Sequence, residues 1–273
     1  PGLWWGSNGT VAFAITNNMA MTRDLYREEV DPADPGRYRD GDSWRRFDER
    51  TVAIPVKGEA TRALVVRSTM RGPVVNAIIP QLEAAGDPVT SMRWVGSEHL
   101  NDIRASINVG RAKNWEQFRD ALRDWAVAVF NWVYADSSGN AGYQMAGRLP
   151  IRGRMTAGLR DANNPADRWT GYIPFDGLPN RYNPATGFVA SANQRIVEPG
   201  YKYPIYGAYS QGHRGIRIDQ AFAGAKADRA HTIGLQNDVK SVRAERSAGH
   251  IVALLKGSGD ADAEALAKLL EGW

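Results

Sequence analysis

The chain has 273 residues, 43% of them hydrophobic and 23% charged, a balance that supports a packed core and excludes a disordered chain. Its net charge of +4 comes from interspersed charges with no Lys/Arg run and no zinc spacing, which argues against a nucleic-acid partner. Zero cysteines exclude disulfides, iron–sulfur clusters and a cysteine nucleophile, and no apolar run approaches the roughly 20 residues of a membrane span.

In chain order, a first short strand is expected at residues 3–5. Asn8-Gly9 carries a type I′ turn signal, and the alternation of Val11, Phe13 and Ile15 predicts a second strand over 11–16, so the two form a hairpin. Residues 31–50 read as turns between short extended pieces, followed by strands at 52–56 and 62–67 and a stop at Gly72-Pro73. Asn114 is placed as an N-cap with Gln117 three residues on. Trp115, Phe118, Leu122, Trp125 and Val129 then recur at helical spacing, which predicts a helix reaching Val129. Strands at 130–136 and 141–146 are expected to pair through the turn Ser137-Ser-Gly-Asn140. Residues 153–186, rich in Gly, Pro, Asn and Asp, read as a long loop anchored by Trp169, Tyr172 and Phe175. A strand is expected at 187–192, and helical patterns take over from Arg214, with a last helix near Ala261–Leu270. Nothing marks a linker, so residues 1–273 read as one domain. The nine tryptophans suit ligand stacking or core filling, and the spacing of Trp115 and Trp125 favours core.

Two segments carry a more specific signal. One is Asn131-Trp-Val-Tyr-Ala-Asp-Ser-Ser-Gly-Asn-Ala-Gly-Tyr143, running on to Gly147-Arg-Leu-Pro-Ile-Arg152, and the other is Gly187-Phe-Val-Ala-Ser-Ala-Asn-Gln-Arg195. With Val11–Asn18, Asp24-Leu-Tyr26, Trp169–Phe175, Arg214–Ile218 and Leu235–Ser241 in the same order, the chain resembles the β-subunit of the penicillin acylase family. That resemblance implies an α+β fold, an αββα sandwich of two antiparallel sheets between helical layers, here incomplete. It also implies an amide hydrolase in which an N-terminal Ser attacks the carbonyl with its own α-amine as base. Its substrate would be an amide with an apolar acyl arm, such as a penicillin or an N-acyl homoserine lactone. The chain begins with Pro1, so it reads as an internal piece, inactive alone, whose serine lies upstream. A partner α-subunit from the same precursor and a periplasmic or secreted location follow from the same resemblance.

By motif, the Asn193 side chain and the Asn17 backbone fall on the two oxyanion-hole donors, and Arg214 falls on an arginine that holds and polarises the site in some relatives. Read alone, Asn193 is a turn residue bonded to its own backbone. Arg214 read alone is a solvated helix-end cation, with Arg217 close enough to confuse the alignment. Trp4, Phe13 and Val189 are candidates for the apolar acyl pocket. Asp24 falls on a calcium-ligand position, but Met21 stands where a second acidic residue belongs and thioether sulfur is a poor calcium ligand, which sets the sequence against an intact calcium site. Read alone, Asp24 is a capping or salt-bridge residue. His99, His213, His231 and His250 show no metal spacing. The rival class is an aromatic-rich binding module, or a family member that has lost its activity.

Overall fold

The computed structural model describes residues 4–79, 81–82, 88–98, 101–155, 158–224 and 227–272. The chain opens with β1 (Gly6–Ser7) and β2 (Val11–Asn17). Next come β3 (Arg23–Arg27), β4 (Val30–Asp31), β5 (Asp34–Asp40), β6 (Ser43–Arg46), β7 (Asp48–Ile54), β8 (Arg62–Thr69), β9 (Gly72–Pro73) and β10 (Thr90–Trp94). Helices α1 (Asp102–Arg111) and α2 (Trp115–Ala121) lead into the hairpin β11 (Phe130–Asp136) and β12 (Ala141–Ala146). Four short strands follow, β13 (Pro150–Arg152), β14 (Arg160–Asp161), β15 (Trp169–Tyr172) and β16 (Asn180–Tyr182). The chain then turns helical with α3 (His213–Phe222), α4 (Arg229–Gln236), α5 (Val242–Lys256) and α6 (Ala261–Glu271). Asp228, Ser241 and Asp260 each accept a backbone N–H as the N-cap of the last three.

The central element is a five-stranded sheet in the order β1-β2-β11-β12-β16, antiparallel throughout. Alternation sends its side chains to two faces, each packed into its own apolar core. Val11, Phe13, Phe130, Trp132 and Tyr134 point to one face and pack on Val109 of α1 and Trp115 and Phe118 of α2. Trp115 lies so close over Gly142 that a Cβ there would meet its ring at 2.5 Å, so only glycine fits. Tyr143 and Met145 point to the other face, into a second core with Leu149, Ile173, Leu178 and Ile205. The other sheets are smaller, β10-β3-β14, β13-β15, β4-β5-β6 and β7-β8-β9, and the pairing of β14 with β3 is parallel. The class is α+β, as expected.

Several expectations need correction. Leu3 lies outside the described residues, Trp4-Trp5 forms a bend, and the first strand starts at Gly6. Gly9 adopts a positive φ of 87° but Asn8 does not, so the turn is not type I′; the Asn8 carboxamide instead accepts the N–H groups of Thr10 and Val11. The strand expected at 52–56 runs Asp48–Ile54, stopped by Pro55. The predicted loop at 153–186 contains β14, β15 and β16. Residues 187–192 form no strand; only Gln194 makes a bridge, to Ser210. The helix after Asn114 ends long before Val129, passing through a 3-10 turn over Leu122–Asp124.

Candidate active site

The polar part of the central sheet lies where β2 and β11 meet. Thr16 and Asn131 are directly paired across the strands, on the face opposite Phe130 and Trp132. Asn131 is fully buried. Its Nδ2 donates to Ser191 Oγ (2.9 Å), Thr16 Oγ1 (3.0 Å) and the Asn17 carbonyl (3.2 Å). Its Oδ1 accepts from Asn18 Nδ2 and from the Tyr143 hydroxyl, both at 2.6 Å. Burial pushes the Tyr143 hydroxyl far above the ordinary tyrosine value, so it stays a proton donor across the physiological range.

This cluster fixes the segment that carries Asn193. Ser191 Oγ accepts from Thr16 Oγ1 (2.8 Å), and the Ala192 N–H donates to Gln194 Oε1 (2.7 Å). Gln194 packs against Gly215 of α3, where a Cβ would come within 3.1 Å of its amide. Asn193 itself has a φ of 64°, a left-handed conformation that Asn tolerates better than most residues. Its Nδ2 donates to the Asn17 carbonyl at 2.7 Å, across 176 positions of sequence. Its Oδ1 accepts from the Arg214 guanidinium at 2.9 Å, and Arg214 also reaches Ser210 Oγ at 3.2 Å. The reading of Asn193 as a turn residue bonded to its own backbone therefore does not hold. Arg214 stands near the start of α3, and no carboxylate pairs with it among the described residues; Arg217 is the one engaged elsewhere, with Asp238.

The Asn17 backbone faces the same edge. Asn18 donates its N–H to Val129 (3.0 Å), so strand alternation leaves the N–H and C=O of Asn17 out of the backbone ladder with β11, and the C=O accepts the side-chain amides of Asn131 and Asn193 instead. By standard backbone dimensions the Asn17 nitrogen then lies within about 6 Å of Asn193 Nδ2. Asn193 Nδ2 carries two hydrogens and spends one on Asn17. Arg214 on the amide oxygen draws electron density from the amide and strengthens Nδ2 as a donor. Asn193 and the fixed cation Arg214 line a cleft of about 780 Å³, together with Thr16, Ile218, Leu235 and Val242.

Sequence reasoning thus placed Asn17, Asn193 and Arg214 on residues that the structure brings together. The pocket candidates fare differently. Phe13 is 5% exposed and points to the helix-covered face, with ring contacts to Phe118 and Trp132, so it is a core residue and does not line the cleft. Trp4 is exposed, edge-on to Phe130 and away from the cleft. Val189 lines a separate hollow on the Gln194 side. The supporting residues Asn131, Ser191, Thr16 and Tyr143 were not singled out. Strand alternation would have put Thr16 and Asn131 on one face, but nothing local announces their meeting with Ser191.

Asp24 lies apart from this cluster, on β3. Its carboxylate accepts from Arg152 Nε (2.7 Å) and the Trp169 indole, and forms an ion pair with Arg160 Nε at 3.0 Å. The salt-bridge reading of this residue holds. Among the described residues no group of three or more His, Asp or Glu side chains is arranged to hold a metal ion. His99 lies outside the described residues.

The fold is that of the N-terminal-nucleophile hydrolases. The solved structure of a thermostable penicillin G acylase from Alcaligenes faecalis matches it with a TM-score of 0.82 at 24% identity, covering 100% of this chain and 49% of the other. A family model described as penicillin amidase matches residues 1–273, and the chain belongs to that family of amide hydrolases. Similar curated proteins include the acyl-homoserine lactone acylase QuiP of Pseudomonas fluorescens (strain Pf0-1), 28% identical over 85% of this chain and 29% of the relative. The penicillin G acylase of Escherichia coli is 29% identical over 75% of this chain and 23% of its own length. The penicillin acylase 2 proenzyme of Pseudomonas sp. (strain SE83) is 29% identical over 97% of this chain and 34% of its own length. The chain spans about a third or less of the length of these curated relatives. Among the described residues no helix is long and apolar enough to cross a membrane.

Proposed function

We propose that this chain supplies the oxyanion hole and part of the substrate cleft of an acylase that splits an amide into a carboxylate and an amine. In this reading a serine at the N-terminus of a processed subunit, outside these 273 residues, attacks the amide carbonyl carbon while its α-amine takes the hydroxyl proton. The carbonyl oxygen becomes an oxyanion held by Asn193 Nδ2–H and the Asn17 N–H. Collapse expels the amine, which leaves with the proton, and water then hydrolyses the acyl-serine ester. Asn17 and Asn193 touch substrate, whereas Arg214 acts through Asn193. Ser191 is not the nucleophile in this scheme: its oxygen accepts from Thr16, Asn131 and the Asn193 N–H, and none of these contacts is an imidazole or a carboxylate that could serve as base. The partner would be an α-subunit cut from the same precursor; the name of one relative calls that protein a proenzyme. The substrate would be an amide of the penicillin or acyl-homoserine lactone kind, met in the periplasm or outside the cell.

The observation that carries this reading is the contact of Asn193 Nδ2 with the Asn17 backbone while Arg214 holds the other end of the same amide. In the serine-bearing enzyme, Asn193→Ala is expected to lower kcat by about 10²–10³ with little change in KM, because it removes a donor that matters mainly in the transition state. An unchanged kcat in a folded variant refutes the oxyanion role. The 273-residue chain alone is expected to release no amine from either substrate type, and turnover by the purified chain would demand a nucleophile within it. A serine-bearing enzyme that stays silent on every amide tested would mark a family member that has lost activity.

A further inference from the structure

The surroundings of Asp24 have a chemistry opposite to that of a calcium site. A calcium ion gathers six to eight oxygen ligands at about 2.3–2.6 Å. Here both Asp24 oxygens are already engaged: Oδ2 accepts from Arg152 Nε and Trp169 Nε1, and Oδ1 is ion-paired with Arg160 Nε at 3.0 Å. The nearby carbonyl of Met21 accepts from Arg152 Nη2 at 2.9 Å, so one guanidinium spans the side-chain oxygen and the main-chain oxygen together. The Met21 side chain offers only a thioether. All three ionised side chains are closed off from water, with 2% exposure at Arg152, 1% at Arg160 and 4% at Asp24.

Charge around the site points the same way. Asp167, the next carboxylate, is held by Arg154 at 2.6 Å and lies 3.8 Å from Arg160. Arg93 stacks over the Trp169 ring at 4.4 Å. Among the described residues Asp24 and Asp167, with Asp161 beside Arg154, thus face the four guanidinium groups of Arg93, Arg152, Arg154 and Arg160, and an added divalent cation would meet repulsion in a poorly screened place. Arg160 Nη2 is buried with no hydrogen-bond partner. An orphaned donor leaves that flank in need of an acceptor, a water or an anion, and not of another positive charge.

We propose that the Asp24 site is closed to divalent cations, and that Arg152 and Arg160 are the fixed internal cations that tie β3 to β13, β14 and β15. The cluster joins the β10-β3-β14 sheet to the β13-β15 pair, because Asp24 sits on β3, Arg152 ends β13, Arg160 begins β14 and Trp169 begins β15. The proposal rests on these contacts and not on the acylase reading, and its test reads no turnover.

The Trp169 indole provides the probe, because terbium bound at Asp24 would lie beside it and show sensitised emission. The protein is titrated with terbium chloride and melted in EDTA and in millimolar calcium chloride. The expected result is no saturable terbium emission and the same Tm in both solutions. Terbium emission that disappears in D24N, or a calcium-dependent rise in Tm that disappears in D24N, overturns the proposal. A signal that survives in D24N places the ion elsewhere and leaves Asp24 closed, as proposed. If D24N does not fold, W169F keeps the carboxylate and removes the sensitiser. Terbium emission present in the parent and lost in W169F then overturns the proposal, and emission retained in W169F supports it.

Discussion

Asn131 shares one buried amide among five partners, Thr16, Asn17, Asn18, Tyr143 and Ser191. Asn131→Leu keeps the volume and removes both ends of the network, stranding the Tyr143 hydroxyl and Asn18 Nδ2. Each stranded donor is expected to cost about 1–3 kcal/mol, read by urea denaturation. Tyr143→Phe alone leaves the Asn131 oxygen satisfied by Asn18 and is expected to cost about 1 kcal/mol. Combined with Asn131→Leu it removes one of the stranded groups, so the double variant should be less destabilised than the sum. Strict additivity of the two costs would show that Asn131 is not the hub. This residue also marks the limit of what the sequence carried. The pair Asn17 and Asn193 was legible only through motif order, because a contact across 176 positions leaves no local trace. Asn131 opens the segment Asn131–Tyr143, yet its partners come from three separate stretches of chain, and no periodicity names them.

At the scale of elements, the turn between β11 and β12 is held by one carboxylate. Asp136 Oδ1 accepts the N–H groups of Ser138 (2.9 Å) and Asn140 (3.1 Å), and Oδ2 accepts the Tyr134 hydroxyl (2.7 Å). Its bonds to Asn140, with those to Tyr134 and Ser138, hold the carboxyl below the usual range. Asp136→Ala is expected to destabilise the protein by about 1–3 kcal/mol, the worth of a charge-assisted turn contact. A depressed folded-state pKa means that this stability is present above the unfolded value of about 3.9 and is lost as pH falls through the folded one. The Tm difference between parent and variant should therefore shrink in strong acid; a constant difference would assign the effect to something other than the carboxylate. The strands of this hairpin and β2 were legible because alternation over six or seven residues has one reading once a face is buried. The end of α2 was not. Asp102 Oδ1 captures the N–H groups of Ala126 and Val127, removing donors a longer helix would use, although the helical spacing of apolar side chains continues to Val129. Segment 187–192 had the composition of a strand, but it is held by the side chains of Ser191, Asn193 and Gln194 instead of a ladder.

Across the whole molecule, burial sets a common alkaline limit. Tyr26, Tyr172 and Tyr209 are each pushed up to about 12, and Tyr134 and Tyr143 higher still; burial is the largest cause in every case. Asp24 adds to the rise at Tyr26, and a hydrogen bond to Glu98 adds to it at Tyr172. In the unfolded chain these hydroxyls titrate near 10. A folded-state pKa above the unfolded one gives stability that is complete below pH about 10 and is lost as pH rises toward the folded value, because the unfolded chain sheds protons that the folded chain keeps. For a buried side chain such as Tyr26, 1% exposed, the loss is about 1.4 kcal/mol per pH unit; Tyr172 and Tyr209 are more open to solvent and contribute less. The five rings sit on β3, the β11–β12 hairpin, β15 and the loop before α3, so their ionisation bears on several parts of the fold at once. Several such losses together rival a typical total stability of about 5–15 kcal/mol. The chain is therefore expected to keep its near-neutral stability up to pH about 10, the unfolded-chain value. Above that it should unfold in one cooperative step in which the tyrosinate absorbance of these five rings and the loss of near-UV circular dichroism coincide. Full tyrosine ionisation near pH 10, the ordinary value, with the dichroism intact would show that the five rings are not sealed in this way.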